Sequence, residues 1–280
     1  MSEKWKIPKI SFLAFYFIFI QLILGMFDRQ SIQKVIATLG KGTLDILFPA
    51  QCARCSEPVD TASSLCAGCW PDITFISAPY CVQCGYPFDY NVGETPLCGS
   101  CIAKPPPFSS GRSVLKYDEA SRDMVLSFKH ADRTDQTPAF AQWMVRSAPD
   151  LMAAPCLIVP VPLHPNRLLK RRYNQSALLA NQIGRLTNQP VAPTLLLRKK
   201  ATPSQGSKTF KGRWLNVKGA FAVRPTLQEK LIGQRILLID DVYTTGATLS
   251  ACADCLLNAG AAQVDILTLC RVVRPANLSI

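Results

Sequence analysis

Acidic residues are missing from a long internal stretch of this sequence. Positions 166–218 hold twelve Lys and Arg and no Asp or Glu, although the whole chain has 31 basic and 19 acidic residues. The two signs balance elsewhere, so this stretch carries the entire net charge of +12. Surfaces usually mix both signs, and a run without acids therefore indicates a site for anions. Nucleic-acid backbone and polyphosphate both fit, and a plain solvated face is the third interpretation.

A cleavage site is missing after the apolar segment near the amino terminus. Residues 10–27 form an apolar run that is interrupted only three times, and three lysines precede it. Its length is at the lower limit for a membrane span, and no small-x-small site for signal cleavage follows. A signal anchor, an uncleaved extension over residues 1–41, and a true start at Met26 all remain open. We expect a cytoplasmic protein, anchored through residues 10–27 if that segment contacts a membrane.

Cysteine, in contrast, is abundant and regularly spaced. Eight of the twelve cysteines form four CxxC pairs, namely Cys52/Cys55, Cys66/Cys69, Cys81/Cys84 and Cys98/Cys101. Each pair presents two thiolates from one turn, and two such turns complete a tetrahedral zinc shell. A disulfide framework would imply secretion, but four repeats of one ligand spacing favour zinc. Four thiolates leave no open position on the ion, so both sites are predicted to be structural.

The region that holds these pairs, residues 42–104, is poor in apolar residues. Zinc would supply the free energy that this region needs to fold. We predict two successive ribbons that bind two Zn²⁺ ions in chain order, and an interleaved pairing is the alternative. The run Pro105-Pro106-Pro107 is typical of a stiff linker that ends the module.

Residues 110–280 alternate between β-rich and helical segments. The predicted strands are GRSVLKYD, CLIVPVPL, GAFAV, RILLID and VDILTLC. Three of them are near-continuous apolar runs, which are typical of strands covered on both faces. Between the last two, apolar residues recur with helical spacing from Leu249 onward, and Gly260 ends this helix. The order predicts an α/β domain with a parallel sheet and helices on both faces.

The segment ILLIDDVYTTGAT places two adjacent carboxylates, Asp240 and Asp241, at the carboxyl end of a predicted buried strand. Open parallel sheets bind ligands at this edge. The next residues, Thr244, Thr245, Gly246, Ala247 and Thr248, lead into the helix, whose first N–H groups attract phosphate. Two carboxylates would repel phosphate unless they bind sugar hydroxyls or a divalent cation on the same ligand. The motif therefore predicts a phosphorylated ribose, and simple strand and helix caps are the alternative.

This segment resembles the phosphoribosyl-pyrophosphate motif of type I phosphoribosyltransferases. The chain from about residue 43 to residue 271 is similar to the ComF family of competence-associated proteins, which join a double zinc ribbon to such a domain. The similarity includes the stretches TLDILFPAQCARC, VLSFKHADR, VPVPLHPNRLLKRRYNQS and ATPSQGSKTFKGRWLNVKGAFAV. Arg172-Tyr173 departs from the family's usual Arg-Gly-aromatic order, which leaves the turn before Asn174 undefined.

The resemblance implies a role for each part of the site. Asp240 and Asp241, the expected catalytic pair, would engage the ribose hydroxyls, and residues 244–248 would hold the 5′-phosphate. Lys129 matches the family's lysine. The loop with His164 and Arg167 would face the pyrophosphate.

The same resemblance implies Mg²⁺ as the bridge between pyrophosphate and ribose oxygens. The basic segment 198–213 would close over the site as a lid. Two functions follow from these expectations. The protein either transfers 5-phosphoribosyl from phosphoribosyl pyrophosphate to a nitrogen acceptor, or serves DNA uptake as a non-catalytic factor that binds single-stranded DNA.

Overall fold

The computed structural model describes residues 50–130, 133–200, 217 and 219–273. The predicted apolar segment 10–27 and most of the predicted lid, residues 201–213, lie outside these ranges. Within the described ranges, no helix is long and apolar enough to cross a membrane. The described chain from Gln51 onward forms one compact unit.

The strands of the described chain form one parallel sheet and one short antiparallel pair. They are β1 (Ser110–Lys116), β2 (Leu157–Pro160), β3 (Leu196–Arg198), β4 (Phe221–Val223), β5 (Arg235–Tyr243) and β6 (Gln263–Arg271). The sheet has the order β1–β6–β5–β2, and every neighbouring pair in it is parallel. The parallel sheet predicted from the sequence is therefore confirmed. GAFAV is the exception, because its strand β4 pairs with β3 in an antiparallel ribbon outside the sheet.

The helices of the described chain follow the strands in the expected alternation. They are α1 (Gly99–Ala103), α2 (Glu119–His130), α3 (Thr137–Ser147), α4 (Pro149–Met152), α5 (Pro165–Arg171), α6 (Gln175–Thr187) and α7 (Ala247–Asn258). Asn174 caps α6 by accepting a hydrogen bond from the backbone N–H of Ser176 at 3.1 Å. Gly260 follows the end of α7 with a φ of 110°, as the sequence predicted.

The central strand β5 divides the hydrophobic core into two layers. Successive strand residues point to opposite faces, so Leu237 and Ile239 pack in the first layer while Ile236 and Leu238 pack in the second. The first layer includes buried residues of α2, α3 and α6. The second layer includes buried residues of α7. The sheet is thus covered by helices on both faces, as predicted.

The two cysteine-rich ribbons contribute to different layers. Ala53 of the first ribbon belongs to the layer of α2, α3 and α6, and the side chain of Gln136 donates to its carbonyl oxygen at 2.7 Å. The four cysteines of the second ribbon belong to the layer of α7. Gln136 immediately precedes α3, so the first ribbon is fixed to the helices and the second to the opposite face.

Candidate functional site

The eight paired cysteines form two separate clusters, each made of two consecutive CxxC pairs. Within each cluster the four Sγ atoms lie within 4.8 Å of one another. Cys55 and Cys66 approach to 3.6 Å between sulfurs, and so do Cys84 and Cys98. Four thiolates around a zinc ion with bonds of about 2.3 Å would be about 3.8 Å apart, so both clusters fit the metal. The grouping follows chain order, and the interleaved alternative is wrong.

The disulfide alternative is also wrong for these cysteines. All twelve cysteines lie in the described ranges, and each one is free. A disulfide would require a sulfur–sulfur distance of about 2.05 Å, far shorter than the 3.6 Å found between neighbouring sulfurs. Two structural zinc sites are therefore the arrangement that this donor set supports.

A cavity of about 740 Å³ lies at the carboxyl edge of the parallel sheet. It lies between the ends of β2 and β5, the start of α7 and the segment that joins α5 to α6. Eight charged residues line it, of which six are basic: Lys129, Arg167, Lys170, Arg171, Arg172, Arg198, Asp240 and Asp241. The cavity thus joins the acid pair to part of the acid-free stretch, and an excess of positive charge faces its interior.

The two carboxylates of the acid pair have different partners. Asp240 accepts hydrogen bonds from the Ser176 hydroxyl and from the backbone N–H of Asp241, both at 3.0 Å. Asp241 forms an ion pair with Lys129, whose ammonium nitrogen lies 3.0 Å from the carboxylate. The acids also precede the end of β5 rather than marking it, because the strand continues to Tyr243. Among the described residues, a cation within bonding distance neutralises Asp241 but not Asp240.

The environment of Asp240 disfavours its charge. Burial, together with the nearby charge of Asp241, raises the pKa of Asp240 from 3.8 to about 7. Lys129 and the Ser176 hydroxyl act in the opposite direction and only partly offset this effect. A ligand that brings hydroxyl donors or a divalent cation to Asp240 would favour its ionised form.

The basic wall of the cavity, formed by Arg167, Lys170, Arg171, Arg172 and Arg198, holds an excess of positive charge. Burial lowers the pKa of Arg167, and the neighbouring charge of Arg171 adds to this effect. Burial also lowers the pKa of Arg198, and the charge of Arg167 contributes again. Guanidinium groups stay charged even so, which leaves several like charges close together at one side of the cavity. An anionic ligand with several negative charges would relieve this repulsion.

Gly246 shapes the turn between β5 and α7. It is the N-cap residue of α7 with a φ of 76°, a left-handed conformation that favours glycine. A Cβ atom at this position would lie only 2.5 Å from the hydroxyl oxygen of Tyr243. Thr244 and Thr248 line the cavity on either side of this glycine. The first N–H groups of a 12-residue helix and two hydroxyls therefore lie beside the acid pair.

Most of the residues that the sequence singled out meet at this cavity. The lining includes Lys129, Arg167, Asp240, Asp241, Thr244, Gly246 and Thr248. Thr245 and Ala247 do not line it: the Thr245 hydroxyl accepts from the backbone N–H of Ala247 at 3.4 Å, and Ala247 is buried. His164 does not line it either, because its side chain caps α5 by accepting from the Asn166 backbone N–H at 3.3 Å.

Sequence reasoning missed two residues of the site. Ser176 donates to Asp240 from the first turn of α6, and the only local signal for it is the cap residue Asn174 just before that helix. Arg198 was expected to belong to a mobile lid. It lies on strand β3 instead, with only 8% of its surface exposed, and it forms part of the fixed wall.

The unusual Arg172 occupies a left-handed turn. Its φ is 65°, and it ends α5 directly before the segment that anchors α6. Tyr173 in that segment donates its hydroxyl to the carbonyl oxygen of Phe128 at 2.9 Å, and Gln175 donates to the carbonyl oxygen of Lys129 at 3.2 Å. These bonds tie the start of α6 to the end of α2, which carries Lys129. The turn that the sequence left undefined is therefore well anchored, with an arginine in a conformation that suits glycine.

Comparison with known families assigns both parts of this structure. The double zinc ribbon domain matches residues 43–102, and the phosphoribosyl transferase domain matches residues 177–277. The second match contains the acid pair, the turn and α7. The parallel sheet with helices on both faces, preceded by two cysteine clusters, is thus a type I phosphoribosyltransferase fold with an amino-terminal double zinc ribbon.

Curated relatives extend the match over most of the chain. Competence protein F of Haemophilus influenzae is 31% identical over 230 residues, which cover 80% of this chain and 98% of that protein. The DNA utilization protein YhgH of Salmonella typhi is 31% identical and is covered completely, with 81% of this chain aligned. Competence protein ComFC of Bacillus subtilis is 29% identical over 74% of this chain and 84% of that protein. The chain belongs to the ComF family of competence proteins.

Proposed function

We propose that the protein binds phosphoribosyl pyrophosphate together with Mg²⁺ in the cavity at the carboxyl edge of the sheet. The observation that carries the proposal is the arrangement of charge in this one cavity. An acid pair and a helix-start turn lie on one side, and guanidinium groups lie on the other. A ribose with a phosphate at one end and a pyrophosphate at the other needs these three environments together.

Each part of the donor has a matching set of groups. The turn from Thr244 to Thr248 offers backbone N–H groups and hydroxyls to the 5′-phosphate. Asp240 and Asp241 offer carboxylate oxygens to the ribose hydroxyls. The guanidinium groups opposite, with Arg167 and Arg198 at their centre, offer donors to the pyrophosphate.

Magnesium fits the same donor set. Carboxylate oxygens and phosphate oxygens are the ligands that Mg²⁺ prefers, and it usually keeps several waters besides. Asp240, which has no ion-pair partner within bonding distance in the described part of the chain, is the carboxylate best placed to accept the added positive charge. When bound, the ion would neutralise part of the pyrophosphate charge.

A second candidate is single-stranded DNA, and the basic helix α5 favours it. This helix has no buried residue and carries Lys170 and Arg171 in its last turn. Arg167, Lys170 and Arg171 line the cavity and would offer cations to the phosphates of such a strand. The relatives named for competence and DNA utilization agree with a role near DNA. We propose that the donor site serves this role, with DNA phosphates competing for the same cations.

Isothermal titration calorimetry on the full chain tests the proposal directly. Phosphoribosyl pyrophosphate should bind with a stoichiometry near one, only when Mg²⁺ is present, and inorganic pyrophosphate should compete. Single-stranded oligonucleotide is titrated in parallel at two salt concentrations, since phosphate contacts weaken steeply with salt. Saturable DNA binding without any donor binding would overturn the proposal and leave the second candidate in its place.

Gly246→Ala separates the two candidates. The new methyl group would meet the Tyr243 hydroxyl and would also require a strained φ, so the turn must move. Donor binding should fall by at least about tenfold, whereas DNA binding to the basic wall should remain. Gly233→Ala is the matched control, because Gly233 has a φ of 70° with nothing within 4 Å of its Cβ position. It imposes the same backbone strain away from the cavity.

A further inference from the structure

Arg271 is a buried cation beside the second cysteine cluster. It ends strand β6, and only 5% of its surface is exposed. Its Nη1 donates to the carbonyl oxygen of Cys84 at 2.6 Å, and its Nη2 donates to Cys84 Sγ at 3.3 Å. Of the carboxylates in the described ranges, none forms an ion pair with Arg271.

The chemistry of the cluster explains why this guanidinium tolerates burial. A buried cation needs a compensating charge and hydrogen-bond acceptors. Four thiolates on one Zn²⁺ carry a net double negative charge, and Cys84 presents both a sulfur and a carbonyl oxygen to Arg271. Arg271 is therefore matched to the metal-loaded form of the second cluster.

The same guanidinium also contacts Tyr243. The Arg271 Cζ atom lies 4.0 Å from the centre of the Tyr243 ring, within the range of a cation–π contact. It lies 5.5 Å from the ring of Tyr86 in the second ribbon. Tyr243 itself is buried and ends strand β5. One arginine thus joins a cysteine of the second cluster to the last residue before the phosphate-binding turn.

Tyr243 also packs against the turn that begins α7. Its hydroxyl lies so close to Gly246 that a Cβ atom there would be 2.5 Å from the oxygen. Burial raises the pKa of Tyr243 to about 12, so the hydroxyl stays neutral at physiological pH. Gly246 is the N-cap residue of α7 and fixes the direction of the first helical N–H groups. The Tyr243 hydroxyl therefore packs against the residue that sets this direction.

The apolar residues at both ends of this connection lie in one hydrophobic layer. The second cluster's cysteines, Tyr243, Ala247 and Leu249 all belong to the core layer of α7. Phe108, which follows the proline linker, packs edge-on against Tyr243 with ring centres 6.5 Å apart. Packed interiors transmit a displacement because they contain little free volume.

We infer that Arg271 and Tyr243 are positioning residues through which the second zinc site fixes the geometry of the phosphate-binding turn. The inference rests on the proposed function insofar as that turn receives the donor's phosphate. The first zinc site has a different arginine arrangement. Arg54 there donates to Asp72 and interacts with Cys69, and its side chain is 27% exposed. The neighbouring Ala53 belongs to the core layer of α2, α3 and α6, not to that of α7.

Three variants of the full chain test the inference: Arg271→Lys, Tyr243→Phe and, as the matched control, Arg54→Lys. Lysine keeps the charge of Arg271 but loses the planar fork that reaches Cys84 while stacking on Tyr243. Backbone hydrogen exchange at residues 244–248 is measured without any donor. Zinc release to a chromophoric chelator is followed on the same samples.

We expect Arg271→Lys to release one of the two zinc ions about tenfold faster and to speed exchange in the turn by a similar factor. Tyr243→Phe should speed exchange in the turn without changing zinc release, because the ring contact with Arg271 is kept while the hydroxyl beside Gly246 is lost. Arg54→Lys should hasten release of the other zinc ion and leave exchange in the turn unchanged. This pattern would show that the second zinc site affects the turn and that the first does not.

Unchanged exchange in the turn of a folded Arg271→Lys protein would overturn the inference. If that variant does not fold, Tyr243→Phe decides, and unchanged exchange there overturns it equally. Donor titration completes the test: Arg271→Lys and Tyr243→Phe should bind phosphoribosyl pyrophosphate about threefold to tenfold more weakly than Arg54→Lys. If the parent binds no donor, the proposed function fails, but the exchange data still decide the inference.

Discussion

The two cysteine clusters share a ligand set and a spacing, yet they are built into the molecule in different ways. In the first cluster Cys55 is exposed and Cys66 is half-buried, whereas all four cysteines of the second cluster are buried. The first ribbon attaches to α3 through hydrogen bonds such as that from the Trp143 indole to the carbonyl oxygen of Ser63. The second forms part of the core layer that includes Ala247 and Leu249 beside the turn from Thr244 to Thr248. Identical metal chemistry thus serves a peripheral module in one case and the core in the other.

Removing one ligand from each cluster should give the largest effect. Cys84→Ala leaves a hole and an unpaired Arg271 in the core, so we expect a loss of at least about 4 kcal/mol in the free energy of unfolding. Cys55→Ala removes an exposed ligand, and we expect a loss of about 1–2 kcal/mol. Chemical denaturation and zinc content, measured on both proteins, check the difference. Equal losses would show that the two ribbons are equivalent.

The acid pair repeats this contrast on a smaller scale. Repulsion between adjacent carboxylates predicts that removing either one stabilises the fold, but Asp241 also pairs with Lys129, and the two side chains are 14% and 17% exposed. Asp241→Asn should therefore lower the free energy of unfolding by about 2 kcal/mol, because it leaves a largely buried ammonium unpaired. Asp240→Asn should hold or raise it.

Thermal unfolding of the two Asn variants provides the measurement, and donor titration accompanies it. Both variants should lose Mg²⁺-dependent binding of phosphoribosyl pyrophosphate, since an amide lacks the negative charge and part of the acceptor capacity. If both variants gain stability, the ion pair contributes nothing. If both bind the donor as tightly as the parent, the carboxylates are scaffolding.

The pH dependence of stability should single out Asp240. Its folded-state pKa of about 7 lies above the ordinary 3.8, so the folded protein keeps a proton that the unfolded chain releases between these values. The stability from Asp240 is therefore complete below about pH 4 and is lost as pH rises to about 7. Between pH 5.5 and 7.5 the parent should lose about 1–2 kcal/mol relative to Asp240→Asn. Urea denaturation of both proteins across this range tests it, and parallel curves would contradict the raised pKa.

The sequence predicted the parts of this structure that local spacing encodes. Four CxxC repeats indicated zinc, and apolar runs separated by a helical period indicated the β5–α7–β6 unit. Chain-order pairing of the cysteines remained open because both pairings use the same local turns. The choice depends on which turns pack together, and only the three-dimensional structure shows that.

The site was predictable only where its residues are neighbours in sequence. Asp240, Asp241 and the turn follow one another, so their common location followed from one strand and one helix. Ser176 is 64 positions from Asp240, and no local pattern joins them. Arg198 was assigned to the lid because it begins a basic run. In the structure it belongs to the three-residue strand β3, and pairing of this strand with β4 holds Arg198 in the basic wall of the cavity. Contacts of this kind depend on how distant elements pack.

The basic wall of the cavity differs from both cysteine clusters in its support. Helix α5, which carries part of this wall, has no buried residue and rests on neither core layer. Its last turn is held in part by the left-handed backbone of Arg172, with a φ of 65°. A non-glycine residue in this conformation costs about 1–2 kcal/mol, and such strain is typical of functional positions. Arg172→Gly should therefore raise the free energy of unfolding by about 0.5–1 kcal/mol, after allowing for the greater freedom of glycine in the unfolded chain.

The same change removes one guanidinium from the cavity. Binding of inorganic pyrophosphate, measured by calorimetry, should weaken about threefold to tenfold, and its dependence on salt should become shallower. Asn188→Gly is the matched control, since Asn188 has a φ of 58° at the end of α6 and does not line the cavity. It should give a similar or smaller gain in stability with unchanged pyrophosphate binding. If Arg172→Gly stabilises the protein and still binds pyrophosphate as tightly as the parent, the arginine contributes nothing to the site and its strained backbone has no functional role in binding.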